Sequence, residues 1–183
     1  VQHWWCHSLW EASSHYSWPD APKPLSFQCI AARLRQALAA HDQQVARNAC
    51  LAIFRWGGVR GRKSLAWVDD QDQQKTLCQS IIQAVQLLQP GSAQGLLMNS
   101  AMTKVYAAAD PDRIIIYDGR VGAALGLLTR YSLMRAGVPS VPADLSFRWG
   151  AGQGDTTNRD PSLGAFKFRK LNAAQCQLWA GQV

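Results

Sequence analysis

Glutamate and long apolar runs are scarce in this sequence. It contains one glutamate, Glu11, against eleven aspartates, so carboxylate chemistry would fall to aspartate. No stretch of 18 or more apolar residues occurs, and we therefore expect no membrane span. Strand signals are also rare. The only strong one is residues 114–117 (Ile-Ile-Ile-Tyr), and it has no obvious partner strand. A helical protein that does not cross a membrane is the expectation.

Cysteine usage argues against a disulfide framework. The chain has five cysteines, an odd number spread widely along it, which indicates reduced, buried thiols in a cytoplasmic protein. His3, Cys6 and His7 make up half of a metal site with no second half, so we expect no metal and no cofactor. The chain begins with Val1 and no charged-then-apolar leader follows, and we expect it to start inside a longer protein.

Charge and length bound the function. The 183 residues suit one domain, or two small lobes that share a core, and 48% hydrophobic content is enough for a packed interior. The chain carries 19 Lys+Arg against 12 Asp+Glu, for a net charge of +7. Nucleic acid is the commonest partner of such a charge, and an anionic membrane surface comes next. Basicity without any functional meaning is the alternative.

Apolar residues recur at helical spacing in the first half of the chain. Ser26 and Asp42 are predicted to cap the starts of two helices, and Gly57-Gly58 to end the second. A basic loop is predicted to follow. Carboxylates favour the positive end of a helix dipole. The next helix is therefore predicted to begin at Asp69, Asp70 and Asp72 and to carry an apolar face up to Leu88.

The second half ends in a segment without periodicity. Asn99 or Ser100 is predicted to begin a helix that runs through Ala109, and Asp118 to cap another. Residues 141–170 are rich in Gly, Asp, Asn and Pro and predict a loop-rich segment, with Asn172 capping a last short helix. The inward face of the helix after Asp118 is predicted to consist of Val121, Ala124, Leu125, Leu128 and Ser132.

A lysine and an aspartate flank the turn and apolar run in the middle of the chain. The lysine lies in Ser100-Ala101-Met102-Thr103-Lys104-Val105, and the aspartate in Tyr117-Asp118-Gly119-Arg120-Val121. This pattern resembles the helix-hairpin-helix superfamily of DNA glycosylases. The resemblance covers about 25 residues, with only the helical pattern in support elsewhere. Ser100 and Met102 stand where that family has its two hairpin glycines.

The resemblance implies a fold, an activity and two catalytic residues. Lys104 falls on the position of the nucleophilic lysine of bifunctional members, Asp118 on that of the essential aspartate, and Val121 on the apolar position after it. The implied fold over residues 1–183 is all-α and two-lobed, with the cleft between the lobes. The implied activity is excision of a damaged or modified base from DNA, in repair or in anti-phage defence, with lyase activity if Lys104 is the nucleophile.

The chemistry of base excision suits an aspartate and a lysine. Breaking an N-glycosidic bond develops positive charge on the sugar, which a carboxylate stabilises. An amine that attacks C1′ must be neutral, and partial burial lowers a lysine pKa toward that state. The alternatives are that Asp118 is a helix cap alone, and that Lys104 contacts a phosphate or is solvated.

Aromatic and basic residues supply the candidates for the DNA contacts. A base must leave the stack before it is excised, and Tyr106, Tyr117, Trp56 and Trp149 are predicted to stack on it, with a place in the core as the alternative for the tyrosines. Two basic clusters, together with Arg120, are predicted to contact phosphates. They are Arg55, Arg60, Arg62 and Lys63, and Arg148, Arg159, Lys167, Arg169 and Lys170.

Three hypotheses therefore remain from the sequence. The first is a DNA glycosylase. The second is a non-catalytic DNA-binding module, or a subunit of a larger defence or repair assembly. The third is a helical protein-interaction domain, which predicts no salt-dependent DNA binding.

Overall fold

The computed structural model describes residues 8–15, 26–59, 61–88, 96–151 and 159–171. Over these ranges the protein is helical, as predicted, and it contains no strand beyond two isolated bridges. None of its helices there has both the length and the apolar content that crossing a bilayer would require. The helices are α1 (Leu9–His15), α2 (Phe27–Ala40), α3 (Gln43–Trp56), α4 (Arg62–Gln73), α5 (Leu77–Leu87), α6 (Met102–Ala109) and α7 (Gly119–Arg135), followed by a 3-10 helix (Ala143–Leu145).

The first two long helices begin where the sequence predicts. The Ser26 hydroxyl accepts the amide of Cys29 at 3.3 Å, and a carboxylate oxygen of Asp42 accepts the amide of Val45 at 3.0 Å. Each bond satisfies one of the amides that have no partner at a helix start. Gly57 ends α3, also as predicted.

Helix α6 lies at the centre of the core. Every side chain from Met102 to Ala108 is buried, and the helix packs against α2, α3 and α5. Leu34, Ile53 and Ile81 from those three helices are fully buried around it. A helix buried on all sides is normally apolar throughout, so Thr103 and Lys104 are the exceptions that need a reason.

The prediction for the aspartates of the first half was wrong. Asp69 and Asp72 lie in the second half of α4, because the helix already begins at Arg62 and includes part of the predicted basic loop. Their carboxylates pair with Arg47 of α3, at 2.7 Å and 3.6 Å. Asp69 and Asp72 thus take part in tertiary ion pairs within the helix and do not mark its start.

The predicted face of α7 is correct in part. Val121 and Leu125 pack against the core, and Leu128 is half-buried. Ala124 and Ser132 are exposed, so the prediction that they face inward was wrong. The most buried positions of the helix are instead Gly122, Gly126 and Leu133.

Glycines are buried on α7 because the C-terminal segment packs directly on the helix backbone. A Cβ at Gly122 would lie 2.1 Å from the carbonyl oxygen of Arg148, and one at Gly126 would lie 2.6 Å from Pro161. Arg130 adds a hydrogen bond of 2.6 Å to the Pro161 carbonyl. In its described residues the segment has no regular structure beyond the 3-10 helix and the bridges, in agreement with the prediction for residues 141–170.

Several predictions concern residues that lie outside the described ranges. They are the phosphate contact of Arg60, the half metal site of His3, Cys6 and His7, and the last helix from Asn172.

Candidate active-site cleft

Three helix starts meet at one cleft of about 710 Å³. They are residues 61–64 at the start of α4, residues 99–101 at the start of α6, and residues 118–120 at the start of α7. A helix start carries a partial positive charge. Among the described residues that line the cleft, five are basic and only Asp118 is acidic, so the cleft favours anions. The basic residues are Arg62, Lys63, Lys104, Arg120 and Arg159.

The amine and the carboxylate named by the sequence meet in this cleft. Nζ of Lys104 lies 3.5 Å from Oδ2 of Asp118 and donates a hydrogen bond of 2.7 Å to the carbonyl oxygen of Ser100. The Lys104 side chain is 7% exposed and that of Asp118 is 23% exposed. Both groups therefore have limited contact with water and share one wall of the cleft.

The two oxygens of Asp118 have different partners. Oδ1 accepts the amides of Arg120 at 2.9 Å and Val121 at 3.1 Å, which caps α7 as predicted. Oδ2 faces Lys104. Because the cap fixes the plane of the carboxylate, the second oxygen is held toward the amine.

Burial and charge shift both pKa values. Burial lowers the pKa of Lys104 and the charge of Arg120 adds to this, while Asp118 opposes it; the net direction is downward. Burial raises the pKa of Asp118, but the charge of Lys104 and the amides of Val121 and Arg120 together outweigh burial, so the net direction is also downward. The carboxylate thus stays ionised at neutral pH, and the amine loses its proton more readily than a surface lysine.

Asn99 joins the starts of two helices. Its Oδ1 accepts the amides of Ala101 at 2.9 Å and Met102 at 3.0 Å, and also the hydroxyl of Ser64 at 3.2 Å. The first two bonds cap α6, and the third ties α6 to the start of α4. These two amides are thus already satisfied, whereas α4 has Gly61 as its cap residue, which has no side chain to bond the amides of the first turn.

Close approaches at glycines shape the wall of the cleft. A Cβ at Gly57 would lie 2.8 Å from Cδ of Lys104, so the absence of a side chain there gives room for the lysine stem. A Cβ at Gly119 would lie 2.8 Å from Cα of Gly150, and this contact brings the C-terminal segment to the edge of the cleft.

The cleft contains four of the ten predicted phosphate contacts. Arg62, Lys63, Arg120 and Arg159 line it. Five others have described positions that do not border it; they are Arg55, Arg148, Lys167, Arg169 and Lys170.

The predicted stacking residues are not at the cleft. Tyr106 and Tyr117 are fully buried, and their hydroxyls donate to the carbonyls of Leu97 at 3.1 Å and Arg148 at 2.9 Å. Neither ring has an exposed face, so both tyrosines are core residues and the stacking prediction for them was wrong. Trp56 packs on Phe27, and Trp149 donates to the Phe168 carbonyl. The described lining of the cleft contains no aromatic residue.

Sequence reasoning missed the small polar residues of the cleft. Ser64 and Asn99 join two helix starts, and the Ser100 carbonyl accepts a hydrogen bond from Lys104. The only sequence signal for Asn99 was its prediction as a helix start, which does not indicate a contact with a second helix.

Comparisons with protein-family models, curated proteins and solved structures found no match for this chain.

Proposed function

We propose that this protein is a DNA N-glycosylase that excises a damaged or modified base. The observation that carries the proposal is the contact between Lys104 and Asp118, 3.5 Å apart at the wall of a cationic cleft. The pattern around these residues resembles that of helix-hairpin-helix glycosylases, and it is the reason for choosing this reaction. In this proposal α2–α6 form one lobe, and α7 with the C-terminal segment forms the other.

The proposed chemistry assigns one role to each side chain. Asp118, ionised and fixed by its cap, stabilises the positive charge that develops on the sugar as the glycosidic bond lengthens. Lys104, as the neutral amine, attacks C1′ and displaces the base, which takes up a proton as it leaves. The C1′–O4′ bond of the sugar then breaks, the remaining amine proton passes to O4′, and a C=N bond forms between Lys104 and C1′; this Schiff base is the intermediate of lyase activity. Without this attack, water is the nucleophile and the product is an abasic site.

The proposed phosphate contacts are the start of α4 and the basic residues at the cleft. Anions bind at helix starts because the amides there point outward and the helix dipole is favourable. Arg62 and Lys63 are the first two residues of α4, so their side chains and the nearby amides can meet one phosphate. Repair of damaged bases and defence against phage DNA with modified bases are the two settings that we propose for this activity.

The test is release of free base. The protein is incubated with duplexes that carry different modified bases, and released base is measured by mass spectrometry. We expect release from at least one duplex, and none with Asp118→Asn, which keeps the cap oxygen but removes the charge. Asp69→Asn is the matched control, because Asp69 is also ion-paired but lies outside the cleft. Equal release by the wild type and Asp118→Asn would overturn the assignment of Asp118.

The second candidate is a non-catalytic DNA-binding module. It is favoured by the structural contacts that Asp118 and Lys104 already make, namely the cap of α7 and the bond to Ser100. It is also favoured by the lack of an aromatic residue in the described lining. Salt-dependent DNA binding with no base release from any duplex tested would establish this function instead.

A further inference from the structure

A buried threonine is hydrogen-bonded next to the two proposed catalytic residues. Thr103 directly precedes Lys104 in the chain, and Tyr117 directly precedes Asp118. Both Thr103 and Tyr117 are 0% exposed. Any bond between this second pair therefore acts on the backbone that carries the amine and the carboxylate.

The Thr103 hydroxyl bonds both peptide groups of Tyr117. It donates to the carbonyl oxygen of Tyr117 at 3.0 Å and accepts the amide of Tyr117 at 3.3 Å. A hydroxyl has one proton to donate and two lone pairs, so both bonds form at once. A threonine in a helix usually bonds a carbonyl of the preceding turn of the same helix. In this helix that acceptor is the Ser100 carbonyl, which lies 3.3 Å from the Thr103 hydroxyl oxygen. The Tyr117 carbonyl is closer, at 3.0 Å.

The loop between the two helices runs partly over the surface. Residues 110–118 leave α6 and return to the start of α7, and within them Ile115 is exposed and Ile116 only half-buried. The hydroxyl of Thr103 joins the end of this loop to the first turn of α6, one residue from each reacting side chain. Because the atoms involved are buried, water cannot readily replace these bonds.

We propose that Thr103 is a positioning residue, whose paired hydrogen bonds to the backbone of Tyr117 set the distance between the Lys104 amine and the Asp118 carboxylate. Its catalytic consequence rests on the proposed glycosylase function. The positional claim does not, and it is tested without DNA.

The experiment is a mutant cycle read out by the titration of one amine. The Nζ resonance of Lys104 is followed by NMR as the pH is raised and is assigned by its loss in Lys104→Gln. Asp118 and Arg120 are the charged groups that act on this amine, and Arg120 is left unchanged throughout. In the wild-type background, Asp118→Asn removes the charge that opposes the effect of burial, so the titration midpoint moves to lower pH.

The variants keep the size of residue 103 and change its hydrogen bonding. Thr103→Val removes the hydroxyl at nearly constant shape, and Thr103→Ser retains it. Thr103→Cys, with a weak donor, replaces the valine variant if that variant does not fold. Thr76→Val is the control, because it removes a threonine hydroxyl that donates to the side-chain oxygen of Gln71 and lies outside the cleft.

The cycle has two decisive outcomes. In the Thr103→Val or Thr103→Cys background, we expect Asp118→Asn to shift the Lys104 midpoint less than half as far as it does in the wild type. In the Thr103→Ser and Thr76→Val backgrounds we expect the full shift. An equal shift in all backgrounds would overturn the proposal, since the pair would keep its separation without the hydroxyl.

Base release adds a second readout that separates this inference from the proposed function. If release occurs, Thr103→Val should lower kcat with KM little changed, and Thr103→Ser should restore kcat. Failure of base release alone would count against the glycosylase function and leave the NMR result to decide the role of Thr103.

Discussion

The aliphatic part of the Lys104 side chain packs on Gly57 and occupies the space that a side chain at residue 57 would need. Cδ and Cε of the lysine lie 2.8 Å and 2.9 Å from the place where a Cβ of residue 57 would be. Gly57 ends α3 with φ −80°, a conformation that any residue adopts. The glycine is thus needed for space and not for backbone freedom.

Gly57→Ala should therefore displace the amine while the fold stays intact. The lysine stem is flexible, so we expect stability to change by less than about 1 kcal/mol. A shift of about 1 Å in a reacting group costs roughly 10²-fold in rate, and borohydride trapping of the protein on DNA should fall by about that factor. Unchanged trapping by Gly57→Ala would mean that this contact does not set the position of the amine.

Asp118 should contribute to stability through its cap and its charge separately. Asn caps a helix about as well as Asp, whereas Ala costs about 1 kcal/mol more, so urea unfolding should rank wild type, Asp118→Asn and Asp118→Ala in that order. The folded state lowers the pKa of Asp118. The advantage of the wild type over Asp118→Asn is then complete above the unfolded pKa of about 3.9 and is lost as the pH falls through the lower folded value. An advantage that does not decrease as the pH falls would show that folding does not lower the pKa of Asp118.

The trapping reaction should have a pH midpoint below that of an ordinary lysine. The folded pKa of Lys104 is lowered from the usual value of 10.5, chiefly by burial. The neutral amine therefore becomes available at lower pH, and the trapping rate should rise with pH and level off before 10.5. In the same variant series, Lys104→Ala should abolish trapping, while Lys75→Ala, at an exposed lysine outside the cleft, should not. A midpoint at or above the usual value would place the reacting amine elsewhere.

The cleft cations should account for part of the salt dependence of DNA binding. Each phosphate contact contributes about one to the slope of log affinity against log salt concentration. Arg62→Gln, Lys63→Gln and Arg159→Gln should each reduce the slope by about one and weaken binding evenly across sequences. Lys167→Gln, at a residue away from the cleft, should have a smaller effect. A larger effect of Lys167→Gln would indicate that DNA binds along the C-terminal segment instead of the cleft.

The helix caps were predictable because their signals are local. Ser26, Asp42 and Asp118 each precede an apolar repeat, and each accepts amides of the first turn as expected. Lys104 and Asp118 were singled out by the resemblance to a glycosylase pattern, and the structure places the two side chains 3.5 Å apart.

The remaining features depend on contacts between distant segments. Asp69 pairs with Arg47 across 22 positions, and no local rule anticipates that. The hydroxyl of Tyr117 reaches the Arg148 carbonyl, 31 positions away, which makes a stacking candidate a core residue. Gly57 was predictable as a helix end, but the lysine that passes over it was not.

The two carboxylate oxygens of Asp118 have separate partners, and this limits which residues can replace it. Serine and threonine begin helices nearly as well as aspartate, and stability screens at residue 118 would retain them. Each offers a single oxygen, which the amides of Arg120 and Val121 would occupy, leaving nothing to face Lys104. A screen that tolerates a small loss of stability should therefore yield variants that fold well and lack the negative charge in the cleft.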